Sequence, residues 1–180
     1  MGGFFSPRPP PGGPPAKPSP REHPPSTGRA AAPPKALGAS TPPPAVPVAN
    51  YVGFVKAGNL VFVSGQVTLK DGKIEYVGKV GKEFTVEQGQ EAAKLCAINI
   101  VAQLKAATGG DLDKVKRIVK LGGFVNSTPD FTQQPEVING ASDFMVAVFG
   151  DKGRHSRAAV SAGALPRGVA VEVDCVAEVE

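Results

Sequence analysis

Arg157 opens the stretch Arg-Ala-Ala-Val-Ser-Ala-Gly, whose other members are small or apolar. A guanidinium on a strand among alanines serves one of two ends. It grips an incoming carboxylate through two parallel N–H donors, or it closes a structural ion pair with an acidic side chain, and the spacing leaves both open. Further on, positions 169, 171, 173, 175, 177 and 179 are all apolar, while Glu172, Asp174 and Glu178 fall on even positions between them. Side chains alternate across a strand, so these carboxylates share one face. That face must meet water, a site or another subunit.

Other chemistry-bearing residues fit poorly into familiar templates. Ser64, in Val63-Ser64-Gly65-Gln66, lacks the G-x-S-x-G elbow and a triad base, and reads as a strand-end serine bonded locally. His155 is the sole histidine after His23; with no acidic or cysteine partner at metal spacing it offers no zinc site and reads as a loop residue. Gly150-Asp-Lys-Gly-Arg154 follows a helical pattern rather than a strand and lacks the phosphate-loop spacing. Cys96 and Cys175 sit within apolar patterns, outside any C-x-x-C set. They are expected to be small buried hydrophobes in a reducing compartment, with a disulfide as the alternative.

The elements that must carry these residues are legible in turns and caps. Gly58-Asn59 separates the β-favouring runs 51–56 and 60–64, and Asp71-Gly72 separates 67–69 from 74–77, so two hairpins are expected. Thr85 with Gln88 three residues on has capping-box spacing, and Ala93, Ala97, Ile100 and Leu104 follow at helical intervals towards a stop at Gly109. Residues 115–125 read as a strand. Val137, Ala141, Phe144 and Val148 form a second helical stripe ending at Gly150, and 157–162 and 169–179 read as a strand pair around Leu165-Pro166-Arg167-Gly168. The fold class expected is α+β, a single sheet with two helices packed on one face. If that last turn is a two-residue hairpin, Ser161 faces Glu172 and Arg157 lies four residues further along, about 13 Å from it.

Charge divides the chain in two. Of the 19 prolines among 180 residues, 16 precede Val48, and residues 1–47 carry five basic side chains against Glu22 alone. The remaining stretch has 15 basic and 15 acidic residues, so the net +4 belongs to the proline-rich segment. Residues 1–47 are expected to be a disordered, polyproline-like basic tail ahead of one domain at 48–180. Prolines this dense prevent a signal h-region or an amphipathic presequence, so a cytoplasmic location is expected, with an organelle address of plastid type left open. A neutral domain lacks the basic footprint nucleic acid requires, and no run of 18 apolar residues offers a membrane span.

Three sets of residues together resemble one known family. They are Ala49-Asn50-Tyr51 with Gly58-Asn59-Leu60-Val61-Phe62-Val63-Ser64-Gly65-Gln66, then Gly122-Gly123-Phe124-Val125-Asn126 with Phe131, and Ser156-Arg157-Ala158-Ala159-Val160 with Ala164-Leu165-Pro166 and Val171-Glu172-Val173. Over residues 48–180 these look like the Rid/YjgF family of imine and enamine deaminases, known earlier as endoribonucleases or translation inhibitors. The resemblance implies a chorismate-mutase-like fold and a homotrimer with sites between subunits. The implied activity is hydrolysis of 2-imino acids such as 2-iminopropanoate, derived from 2-aminoacrylate, to 2-oxo acids and ammonia, with no metal or cofactor. It also places Arg157 where active members hold the substrate carboxylate and Glu172 where a carboxylate orients or activates the water. Tyr51, Asn139, Ser64, Gly65 and the backbone carbonyl of Ala159 are implied as pocket residues.

Two positions depart from the family pattern: Ala159 stands where cysteine is common, removing a thiol, and Asn50 stands where proline is common. The competing functions are a non-catalytic trimer binding small carboxylates and, more weakly, a ribonuclease or translation inhibitor. The latter lacks both positive charge on the domain and a His/Lys/Glu set for phosphodiester cleavage.

Overall fold

A computed structural model of the chain describes residues 41–44 and 50–180. Thr41–Pro44 carry no regular structure, and the rest of the expected tail lies outside the described residues. The elements are β1 (Phe54–Ala57), β2 (Leu60–Val67), β3 (Leu69–Lys70), β4 (Lys73–Ile74), α1 (Val86–Ala107), β5 (Val115–Asn126), α2 (Gln134–Phe149), β6 (Ser156–Ala162) and β7 (Val171–Val179). Five strands form one mixed sheet in the order β1-β2-β7-β5-β6, while β3 and β4 make a separate small hairpin.

Local chemistry sets most boundaries. Ala57 pairs with Leu60 across Gly58, whose φ of +61° suits the first central position of a two-residue hairpin turn. Helix α1 begins with the reciprocal capping box of Thr85 and Gln88 and stops where Gly109 turns left-handed at φ +67°. Both helical stripes are buried in one core: Ala93, Ala97, Ile100 and Leu104 of α1 lie over β7 and β2, and Val137, Ala141, Phe144 and Val148 of α2 lie over β5 and β6. The helices come close because Gly140 has no side chain: a Cβ there would lie 2.0 Å from the Gln90 carbonyl oxygen. Cys96 and Cys175 are free thiols inside this core, and burial pushes the pKa of both up.

Among the described residues no helix covers the sheet's other face. Val55, Phe62 and Val160 stand on it, each about half exposed, beside Glu172 and Asp174.

The last two strands are not a hairpin. β5 lies between them, parallel to β6 with Leu121 beside Arg157, and antiparallel to β7 with the same Leu121 beside Cys175. Pro166–Gly168 forms only a local turn, closed by the Gly168 N–H on Leu165 O, within the connection 163–170. That connection is tied to the segment after β4: Lys79 Nζ donates to Gly163 O, Gly78 N–H to Gly168 O, and Ala170 N–H to Tyr76 O. It therefore crosses the end of β5 rather than doubling back. Residues 51–53 also fall short of β1, although Ser64 N–H still bonds Gly53 O at 3.0 Å.

Candidate active site

Two groups of side chains carry the candidate chemistry. The first is built where the edge strand β6 meets α2. Arg157 Nη1 donates to Asn139 Oδ1 at 2.9 Å and to Ser142 Oγ at 3.0 Å, and Nη2 donates to Pro135 O at 3.1 Å. Asn139 and Ser142, three residues apart, share one face of the helix, so both reach the same guanidinium. Among the described residues no carboxylate lies within ion-pair distance of Arg157. Of the two partners open to it from the sequence, the intramolecular ion pair is thus absent there. A guanidinium has five N–H groups, and three are engaged; the two that remain match the number a bidentate carboxylate takes. Ala159 follows two residues along β6, half-buried beside Gly123.

The second group sits where β2 meets β7. Val63 pairs with Cys175 and Gln66 with Val173, so Ser64 and Gly65 form a bulge opposite Asp174. A bulge re-aims side chains and bends the strand. Ser64 Oγ donates to Val52 O at 2.7 Å, which fastens the segment carrying the exposed Tyr51 alongside the bulge. Gly65 is necessary for a different reason: a Cβ there would lie 2.0 Å from Glu172 Oε1, so the missing side chain is the space the carboxylate occupies. Gly122 repeats the device next door. Its N–H donates to Asp174 Oδ1 at 2.9 Å, an atom that a Cβ would approach to 2.4 Å.

Electrostatics distinguish the two acids. Glu172 is half-buried, and desolvation first, then the neighbouring Asp174 charge, raise its pKa above the ordinary carboxyl range. Among the described residues Glu172 has no hydrogen-bond or ion-pair partner, which leaves an uncommitted carboxylate with enhanced basicity.

The two groups do not meet within the one chain. Residues directly opposite in a sheet point the same way. Arg157, Leu121 and Cys175 lie on the helix side, whereas Val160, Phe124 and Glu172 lie on the bare side. Arg157 and Asn139 are brought together, as are Ser64, Gly65 and Glu172. The two sets stand on opposite faces. Ser142, His155, Gly122 and Asp174 were not singled out as site residues from the sequence; only the proximity of His155 to Arg157 and of Asp174 to Glu172 pointed towards them. Among the described residues no group of three or more His, Cys, Asp and Glu side chains could hold a metal ion.

Residues 34–179 match the family described as "YjgF/chorismate mutase-like, putative endoribonuclease". The chain belongs to the YjgF/RidA family. The match opens at residue 34, inside the proline-rich segment, earlier than the motifs at 49 onward mark. Protein TCP17 of Trypanosoma cruzi is 48% identical over 154 residues, covering 85% of this chain and 96% of that protein. The solved structure of Atu1372 from Agrobacterium tumefaciens, of unknown function, is 49% identical with a TM-score of 0.77, covering 81% of this chain and 89% of its own. RidA from an Antarctic Psychrobacter is 29% identical with a TM-score of 0.52, covering 78% of this chain and 97% of its own. This YjgF/RidA protein thus has the expected α+β, chorismate-mutase-like fold, with one mixed sheet and two helices. Among its described residues no helix is long and apolar enough to cross a membrane.

Proposed function

We propose that this protein hydrolyses 2-imino acids and their enamine tautomers to 2-oxo acids and ammonia. The observation that carries the reading is Arg157, fixed to α2 by three hydrogen bonds with two N–H donors to spare. Those donors hold the substrate carboxylate, with Asn139 and the Ala159 carbonyl beside it. Glu172, basic and unpaired over Gly65, takes a proton from water as the oxygen attacks the imine carbon. Glu172 returns that proton to the imine nitrogen to give the neutral carbinolamine, then takes the hydroxyl proton as the carbonyl forms and passes it to the nitrogen, which leaves as ammonia. An imine carbon is already electrophilic, so fixing the carboxylate and presenting a water are sufficient chemistry. No metal or cofactor is required by this scheme.

Arg157 and Glu172 of one protomer face opposite sides of the sheet, so one substrate can touch both only if two copies contribute. The resemblance to a homotrimer with sites between subunits supplies that arrangement, and the apolar residues Val55, Phe62 and Val160 on the bare face suit burial against a neighbour. Tyr51 and Ser64 then line the cleft from the Glu172 side.

The test generates 2-iminopropanoate or 2-iminobutanoate in situ, with an amino-acid oxidase or a dehydratase, and follows its loss. Wild-type protein accelerates the decay and Arg157→Ala does not; equal rates for the two proteins would remove the proposed mechanism. Because the Arg157 anchor is complete within one protomer, a second reading is a trimer that only binds small carboxylates. Saturable binding of 2-oxobutanoate without acceleration selects it.

A further inference from the structure

Arg157 is held by a longer chain of hydrogen bonds than its own contacts show. Ser142 Oγ, which accepts from the guanidinium, lies 3.0 Å from His155 Nε2, and His155 Nδ1 lies 2.6 Å from Gly153 O. The direction of each bond follows from the groups involved. A carbonyl oxygen only accepts, so Nδ1 carries the ring proton. Burial pushes the His155 pKa down, opposed by the Gly153 bond and reinforced to a lesser extent by the Arg157 charge, so the environment favours the neutral ring. Its Nε2 is then bare and only accepts. The Ser142 hydroxyl must donate to it, which turns the oxygen lone pairs towards the Arg157 N–H. Gly153 at the far end is buried and fixed, since a Cβ there would lie 2.3 Å from Met145 O of α2.

We propose that Ser142 and His155 are positioning residues for Arg157, setting the plane of the guanidinium so that its two unengaged N–H groups present a fork to the carboxylate of a 2-imino or 2-oxo acid. The role presupposes Arg157 as the carboxylate anchor described above. Neither residue touches the reacting atoms. Their loss leaves Asn139 and Pro135 O to hold the guanidinium, with one Nη1 hydrogen released and the plane free to rock, so binding of the carboxylate suffers and the chemical step does not.

The experiment compares Ser142→Ala, Ser142→Thr, His155→Leu and the Ser142→Ala/His155→Leu double variant, with Arg157→Ala as the reference. Removing one charge-assisted hydrogen bond from a guanidinium held by two others is expected to raise KM about tenfold, with kcat unchanged within about twofold. Ser142→Thr keeps the hydroxyl and returns KM to near the wild-type value. His155→Leu raises KM in the same direction, and the double variant is no worse than the poorer single one, because the two act in series. In the wild-type protein, nitrogen chemical shifts of His155 show Nδ1 protonated and Nε2 bare.

An unchanged KM for Ser142→Ala while Arg157→Ala loses activity overturns the positioning role and leaves the anchor in place, and so does a ring protonated at Nε2 rather than Nδ1. Should the wild-type protein hydrolyse no imine, the same series is read from the Kd of 2-oxobutanoate by calorimetry, where the same tenfold loss and threonine rescue are expected. Binding by Arg157→Ala as tight as wild type overturns anchor and positioning together.

Discussion

Replacing Gly65 with alanine tests the second half of the site at a single atom. The new Cβ would fall 2.0 Å from Glu172 Oε1, whereas ordinary van der Waals contact begins near 3.4 Å. The carboxylate must therefore retreat by about 1.4 Å, and misplacing a reacting group by about 1 Å is enough to lower a rate roughly 100-fold. The backbone at Gly65 is not left-handed, and the obstacle is the free end of a flexible side chain, so the fold tolerates the change. Gly→Ala at a compatible position contributes about 0.4–1 kcal/mol through the unfolded chain, which offsets part of the strain. Expected, then, are a kcat for 2-iminobutanoate hydrolysis about 100-fold below wild type and unfolding in guanidinium within about 1 kcal/mol of it. Adding Glu172→Gln to Gly65→Ala should lower kcat little further, since both remove one function. A Gly65→Ala protein that folds normally and turns over within about threefold of wild type would refute the role given to Glu172.

Two other outcomes follow from the same contacts. Glu172 has a raised pKa, so its ionised form is less favourable in the folded than in the unfolded chain; the stabilisation is complete below the unfolded pKa and is lost as pH rises through the folded one. Glu172→Gln should therefore melt higher than wild type at pH 7, with the gap closing below about pH 4.5, as thermal scans across pH will read. Gly140→Ala, in contrast to Gly65→Ala, drives a Cβ to 2.0 Å from the backbone oxygen of Gln90, which cannot rotate away, and should lower stability by about 1–3 kcal/mol in denaturant titration.

Local features were legible in the sequence, and long-range pairing was not. Thr85, Gln88 and Gly109 fixed the bounds of α1 because caps are decided within a few residues, and the strict alternation of 169–179 identified the two faces of β7. The turn chemistry of Pro166–Gly168 was read correctly as a turn but wrongly as a hairpin. Nothing within those residues announces that β5, 40 positions earlier, takes the place between the two strands, since strand order is set by which distant partners bury most surface. The assignment of Arg157 and Asn139 to one place came from resemblance, and the structure joins them through a 2.9 Å hydrogen bond. Ser142 escaped notice and His155 was read only as a loop residue without metal partners, because a mid-helix serine and a loop histidine have no distinguishing pattern until β6 docks on α2. Gly65 was expected at a pocket only through the resemblance, and the space it leaves for Glu172 exists only across two strands.

The central claim, that Arg157 of one copy and Glu172 of another act on one imine, is tested most directly by mixing two inactive proteins. Arg157→Ala and Glu172→Gln subunits are unfolded together in equal amounts, refolded, and assayed for 2-iminobutanoate hydrolysis. Random assembly into cyclic trimers places an intact pair of residues at one cleft of every mixed trimer, so about a quarter of wild-type activity should return. Refolded mixtures that form trimers and remain as inactive as either parent would contradict the account.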